Sequence, residues 1–398
     1  MLSVASVAWV VAASRFVKGD GTVDGAREVW LRYSLGGVFA LVLVSMLASA
    51  AGSLAGERAA KRLQLTIVRP VRYFAVALAK TLAHAAVGAV ALALACIAVL
   101  SMARDMPSCD HVLRPVLPSV AAEAADMYAS YMADPSTPAQ VRRAPKSAVM
   151  RLLMQRATDH YQTIGTNAFA SWKFDASRIP EPSEGLRARL RFANQFDMRR
   201  DVRGEFRMAG LAGAVSNVTQ TATVVALLPG ADASAEKGEL SFWNRGSSAV
   251  MTRPRRDVAL LVPADSFEWN LVRAFAEMVS VLALVVAFGV FLSAGLGRPV
   301  AVFVAMAVLL LGEMSPSVVE QYPDELDAKM SDRIGLWLTR AAADFTSPVS
   351  SLSPLESLAA NECVEASETL RVAAVDFVLV PLLFALLSGL IIPRKQET

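Results

Sequence analysis

Three features of the sequence predict a mainly α membrane protein with six transmembrane helices and a large extracytoplasmic α+β domain between the third and fourth. The chain is apolar, with 54% hydrophobic and 19% charged residues over 398 positions and a positive mean hydropathy, which is outside the habit of soluble domains of this size. Its apolar residues collect in runs that meet or approach the roughly 20 residues a spanning helix needs. One long segment between such runs, 104–268, changes from helical composition to period-two alternation.

Residues 1–17 are short for a span, and no basic region precedes their apolar run, so they read as an abbreviated first transmembrane helix and not as a signal peptide. Residues 34–56, 73–103 and 269–297 give the second, third and fourth helices at full length. Residues 298–313 and 372–393 are shorter and supply the fifth and sixth.

Orientation follows from the basic residues of short loops. Arg58, Lys61, Arg62, Arg69 and Arg72 place the loop 57–72 in the cytoplasm, and Arg298 and the tail 394–398 agree with them. Six spans then put both termini inside a bacterial inner membrane and the segments 104–268 and 314–371 outside. Lys18 and Arg15, near the outer end of the first helix, run against the pattern.

The exported segment opens with Ala-, Met- and Leu-rich stretches, Val120 to Met132 and Ala139 to Tyr161, which predict a helical stalk. In "LRARLRF", Leu186, Leu190 and Phe192 alternate with Arg187, Arg189 and Arg191, the mark of a half-buried strand. Further strand-length runs separated by Gly, Pro, Asn or Asp predict a small antiparallel β-sandwich. The arginine stripe is expected to be the solvated face of its strand, or else a surface for anionic headgroups or an acidic cargo. In the second external segment, 314–371, mixed Trp, aliphatic, Pro and Ser residues suit short interfacial helices.

Cysteine usage divides by compartment. Cys96 falls within the third helix as a small buried residue, whereas Cys109 and Cys363 both fall outside, where a disulfide or two unpaired thiols are the alternatives.

Chemistry is sparse. His84, His111 and His160 have no ligand spacing among them or with the cysteines, so no metal site is expected. Neither a P-loop nor a G-x-S-x-G elbow occurs, so no catalytic residue and no resident cofactor are expected. The formal net charge of +3 is too small to point to nucleic acid; the expected surroundings are the lipid bilayer and protein partners. Lys80 and His84 share a face of the third helix, with Lys80 expected to snorkel to the headgroups. Glu277, Glu313 and Asp376 are expected near outer, watered helix ends. Ala48, Gly52 and Gly56 form a small-residue stripe that would admit a neighbouring helix.

The loop 57–72 holds more than charge. Ala60, Leu63 and Ile67 recur at helical spacing beside Arg58, Arg62 and Arg69, and Pro70 ends the pattern, which predicts a short amphipathic helix. Glu57-Arg58, then Leu63 and Leu65, Pro70-Val71 and Ala79-Lys80 resemble the permease subunits of type-2 ABC transporters, which carry Glu-Arg, a Leu-rich run, Pro-Val and Gly-Lys at similar separations. The chain departs from that pattern at Lys61-Arg62 and at Ala79. "SPLESLA" is similar to the short outer helices of the family, and 104–268 lies outside the resemblance. The resemblance implies that Gly56, Glu57, Arg58, Arg62, Arg69, Pro70 and Lys80 form a coupling helix and its elbows. A separate ATP-hydrolysing P-loop subunit, with ATP and Mg bound there, would dock on it, and a second permease copy or homologue would complete a dimer. The other class of reading is a membrane-anchored sensor or assembly scaffold whose external domain binds a ligand or partner. Nothing in the residues selects a transported substrate.

Overall fold

The computed structural model describes residues 2–16, 23–61, 72–102, 108–138, 142–158, 160–179, 186–194, 202–208, 215–219, 223–227, 238–321, 335 and 354–394. These fall into two compact units, one of Met1–Cys109 with Asp265–Thr398 and one of Asp110–Ala264. The first is helical and the second carries the strands.

The helical unit contains α1 (Leu2–Phe16), α2 (Val23–Ala59), α3 (Tyr73–Met102), α7 (Phe267–Gly295), α8 (Arg298–Gln321), α9 (Pro354–Ala359), α10 (Ala366–Val372) and α11 (Val380–Arg394), with a π-helical turn, Ala373–Leu379, joining the last two. Four stretches are long and apolar enough to cross a membrane: Gly25–Ala59, Tyr73–Met102, Phe267–Gly295 and Ala366–Ile392. The first and fifth of the six expected spans contain shorter apolar stretches, Leu2–Ala13 and Arg298–Leu310.

Helix α7 is the hub. It packs on α2, α3, α8, α9, α10 and α11, and 67% of its most apolar window is buried against 44%, 39% and 28% in the other three. Its sequence explains this, because Val, Ala, Leu and Ser alternate around the whole circumference and leave no polar face. By contrast α3 keeps Val87, Val90 and Ile97 more than half exposed and α11 does the same with Leu390, as expected of faces turned to lipid. Small residues set the closest approaches. A Cβ on Gly289 of α7 would lie 3.0 Å from Leu47 and 3.2 Å from Ala50 and the Ala51 backbone of α2, and one on Gly88 of α3 would lie 2.5 Å from Leu282. The stripe of Ala48, Gly52 and Gly56 is not the seam: Gly52 faces Arg298, and a Cβ on Gly56 would meet nothing within 4 Å.

The helix bounds differ from the hydropathy reading in an instructive way. α2 begins at Val23 and not at residue 34, since Arg27, Glu28 and Arg32 interrupt apolarity without interrupting the helix. α8 likewise continues beyond residue 313 to Gln321, so part of the expected loop 314–371 is helix. Cys109 and Cys363 are joined in a disulfide with Cα atoms 5.1 Å apart. Around it, Asn361 Nδ2 donates to the Ser108 carbonyl at 2.8 Å, and the Asn270 side chain takes both the Glu362 carbonyl (2.8 Å) and the Val364 amide (2.7 Å). Cys96 is a buried free thiol.

The strand-bearing unit starts with β1 (Asp110–Leu113) and the helical pair α4 (Val120–Ala133) and α5 (Lys146–Thr158). The pair closes over Ala124, Val149 and Leu153, and Ser119 caps α4 by accepting from the Ala122 amide. Then come β2 (Gln162–Ile164), β3 (Phe169–Lys173), β4 (Arg187–Arg191), β5 (Ala193–Asn194), β6 (Val202–Met208), β7 (Val215–Thr219), β8 (Thr223–Leu227), β9 (Glu239–Asn244), β10 (Val250–Thr252), the short α6 (Pro254–Asp257) and β11 (Val258–Pro263). They pair antiparallel in orders β1-β11-β4-β8, β2-β10-β5 and β3-β9-β6-β7. Inward residues of these sheets, among them Trp172, Leu190, Phe206, Phe242 and Leu260, form one apolar cluster. Phe242 lies over Gly204, where a Cβ would meet its ring at 2.0 Å.

The arginine stripe of β4 is not one solvated face. Arg187 is ion-paired with Asp110, Arg189 is 6% exposed, and Arg191 alone is open. The reason is topological, because β4 is an interior strand and α6 packs against it and β11.

Candidate docking elbow between the second and third helices

The Ala- and Gly-rich run at the end of α2 has no breaker before Lys61, which adopts φ 56°. Consequently Glu57 and Arg58 are the last turn of α2, not the start of a separate helix as the 57–72 assignment expects. The Ala60 amide donates to the Gly56 carbonyl at 3.0 Å and the Lys61 amide to that of Arg58 at 2.9 Å, closing the helix end. On the far side, the Arg72 carbonyl accepts from the Ala75 amide at 2.9 Å and starts α3. Arg62, Arg69 and Pro70, with Leu63, Leu65 and Ile67, lie outside the described residues.

Two charged tethers hold the legs of this elbow. Lys80 Nζ donates to Glu57 Oε1 at 2.6 Å, with side-chain exposures of 21% and 35%. Lys80 therefore links α3 to α2 and does not simply snorkel. One turn on, His84 Nδ1 donates to the Lys80 carbonyl at 2.8 Å, which places the proton on Nδ1, since a carbonyl can only accept.

Arg58 makes the second tether. Its guanidinium donates to the carbonyls of Ser293 at 3.0 Å, Leu296 at 2.8 Å and Ala294. These acceptors are the orphan carbonyls at the C-terminus of α7, where helix geometry provides no partner and the dipole favours a cation. A rigid fork with several N–H donors suits that cluster as a lysine would not. Arg298, at the start of α8, lies over Gly52, where a Cβ would sit 3.0 Å from Nε. The start of α3 is wedged as tightly, because a Cβ on Gly389 of α11 would be 3.0 Å from Phe74.

Thus the structure brings together Glu57, Arg58 and Lys80, and leaves Gly56 on an open side. What it adds is the α7 terminus, which sequence reading misses because backbone carbonyls carry no residue signature. The "SAGLG" stretch that ends α7 is the nearest thing to a signal.

Buried polar groups lie elsewhere on the hub. Glu277 is 2% exposed and accepts from Thr369 Oγ1 at 2.8 Å, and Asp376 in the π-helical turn is 5% exposed. Both were expected at watered helix ends, and both are instead enclosed by the packing of α7 with α10 and the π turn. The Glu313 side chain lies outside the described residues. Among the described residues, no group of three or more His, Cys, Asp or Glu could hold a metal. The chain matches no protein-family model, no curated protein and no solved structure.

Proposed function

We propose that this chain is the membrane-spanning permease subunit of an ABC transporter, an exporter, driven by a separate P-loop ATPase docked on the 57–72 segment at the cytoplasmic face. The observation that carries the reading is the double tether at the elbow. Glu57–Lys80 makes the flanking helices move together, and Arg58 ties them to the buried hub. A membrane anchor has no need of such a linkage, whereas a subunit worked from outside by a motor requires the docking segment to be stiffly joined to the core. The residues involved are those of the Glu-Arg and Ala-Lys parts of the permease-like pattern. ATP and Mg belong to the partner in this reading, and a second copy or homologue completes the path.

The test is co-reconstitution with the P-loop ATPase subunit that this reading requires, sought among the genes neighbouring this chain's own. ATP hydrolysis stimulated by the permease, and reduced by Glu57→Lys together with Arg58→Glu while the chain still inserts, is the expected result. A chain that forms no complex with any such ATPase, or a variant that stimulates hydrolysis as well as the native protein, refutes the proposal. A sensor or scaffold is the second reading, favoured by the elaborate strand-bearing unit; it predicts that Glu57 and Arg58 can be replaced without loss of function.

A further inference from the structure

We propose that the seam between α7 and the last apolar stretch, Ala366–Ile392, is a proton-binding site, with protons held on the buried carboxyl groups of Glu277 and, deeper in the seam, Asp376. Both residues lie in stretches long and apolar enough to cross a membrane, where an ionisable group is costly and marks a functional position. The hydroxyl of Thr369 carries the case for Glu277. It has one hydrogen and lies 2.8 Å from Glu277 Oε1 and 3.1 Å from the Glu365 carbonyl. With Glu277 ionised, that hydrogen serves one acceptor fully and leaves the other short. With a proton taken from water onto Glu277, the carboxyl O–H donates to Thr369 Oγ1, whose own hydrogen goes to the carbonyl, and both contacts are satisfied.

Asp376 is the buried residue of the π turn Ala373–Leu379 and has no hydrogen-bond or ion-pair partner among the described residues. Outside its own helix, the element packed on that turn is α7. Contacts on either side of the turn, Thr369 with Glu277 and Phe384 with Phe288 at 5.9 Å between ring centroids, set it against residues 278–287. That stretch, MVSVLALVVA, has one polar side chain, Ser280, whose hydroxyl donates back to the Ala276 carbonyl at 2.8 Å. An ionised carboxylate there would face no cation, whereas the neutral acid needs none. A π turn of this kind, with the Val380 amide bonded to the Val375 carbonyl, recurs at functional sites in helices.

The charged groups of the packed elements are engaged elsewhere or turned outward. Arg273 of α7 donates to Asp265 Oδ2 at 2.6 Å and to the Val364 carbonyl at 3.2 Å, and Arg32 of α2 is paired with Glu356 of α9. Glu368 and Arg371 lie on the exposed face of α10. Between Arg32 and Glu57 α2 has no charged residue, residues 85–102 of α3 bring only Cys96 as a titratable group, and α11 brings none before Arg394. The Glu313 side chain of α8 lies outside the described residues.

The site needs no ATPase and stands independently of the permease reading. Its test uses the full chain in nanodiscs of uncharged lipid, titrated from alkaline to acidic buffer with choline as the cation. Infrared difference spectra follow the C=O stretch of protonated carboxyl groups, which absorb at higher frequency when shielded from water. The native protein is expected to show such shielded bands, one lost in Glu277→Gln and another in Asp376→Asn, with both kept in the exposed control Asp175→Asn. Thr369→Val, which keeps both carboxyls, is expected to raise the frequency of the Glu277 band and leave the Asp376 band in place. It also carries the test if either near-isosteric variant fails to fold. Spectra that lack shielded bands down to the pH of unfolding, or bands that Glu277→Gln and Asp376→Asn leave intact, overturn the proposal. So does loss of the bands when sodium or potassium replaces choline, which would assign the seam to a metal cation.

Discussion

Replacing Arg58 with Ala removes the guanidinium that serves three carbonyls at the end of α7. A hydrogen bond from a charged donor contributes about 1.5–3 kcal/mol when buried. The site is only half-buried, so water can take over part of the acceptors and the contributions do not add fully. The helix-terminal charge contributes about 0.3–1 kcal/mol on a similar discount. A total loss of about 2–4 kcal/mol follows. Reversible unfolding in mixed micelles measures it, with spin labels on the ends of α2 and α7 reporting whether the helices separate. Arg58→Lys is the sharper test, because it keeps the charge but cannot span three acceptors, and it should recover no more than about 1 kcal/mol. Full recovery by Lys, or an Ala variant of native stability with native label distances, would show that the forked tether is not what joins α2 to the hub.

In a mass-tag assay of the unfolded chain, native protein should label at Cys96 alone without reductant and at three cysteines with it, given the Cys109–Cys363 bond; three labels without reductant would count against that pairing. Gly289→Leu should separate α2 from α7 and lower the yield of monodisperse protein sharply, while Gly289→Ala should cost about 1–3 kcal/mol, read in the same micelle titration. Gly238 holds φ 109° with a would-be Cβ 2.7 Å from the Phe174 carbonyl, so Gly238→Ala should destabilise the strand-bearing unit by about 1–3 kcal/mol or more, seen as faster limited proteolysis between β8 and β10. Asp134 and Asp175 are held below the usual carboxylate range chiefly by the Ser136 amide and the Ser177 hydroxyl respectively. Depressed native values mean that this small contribution is present at neutral pH and lost as pH falls through the carboxylate range, so Asp175→Asn should flatten the acid limb of a stability–pH curve.

Hydropathy reads how much apolar chain could lie in lipid, and helices do not end where lipid would. That is why Tyr73–Met102 is legible almost to the residue, while α2 starts well before its apolar run and α8 outlasts its own. Arg32, which interrupts apolarity in α2, is paired with Glu356 of α9, a partner no local window contains. Period-two alternation correctly marks β4 as a strand, yet three arginines of one stripe meet three different environments, because neighbours in the sheet and α6 decide what covers each. At the elbow, Glu57, Arg58 and Lys80 stand out in sequence through their spacing, but the acceptors of Arg58 are backbone atoms more than 230 residues away.

Sequence alone determined the apolar, mainly helical character, the strand-bearing segment between the third and fourth apolar runs, counting the short first one, and a basic turn after the second. Those properties are local: they depend on composition and on periods of 2 and 3.6 residues. Only the tertiary structure decided that α7 is the hub, that Cys109 meets Cys363, and that Arg58 closes the end of α7. Each of those is a long-range pairing, and it exists only once burial of apolar faces has brought distant parts of the chain together.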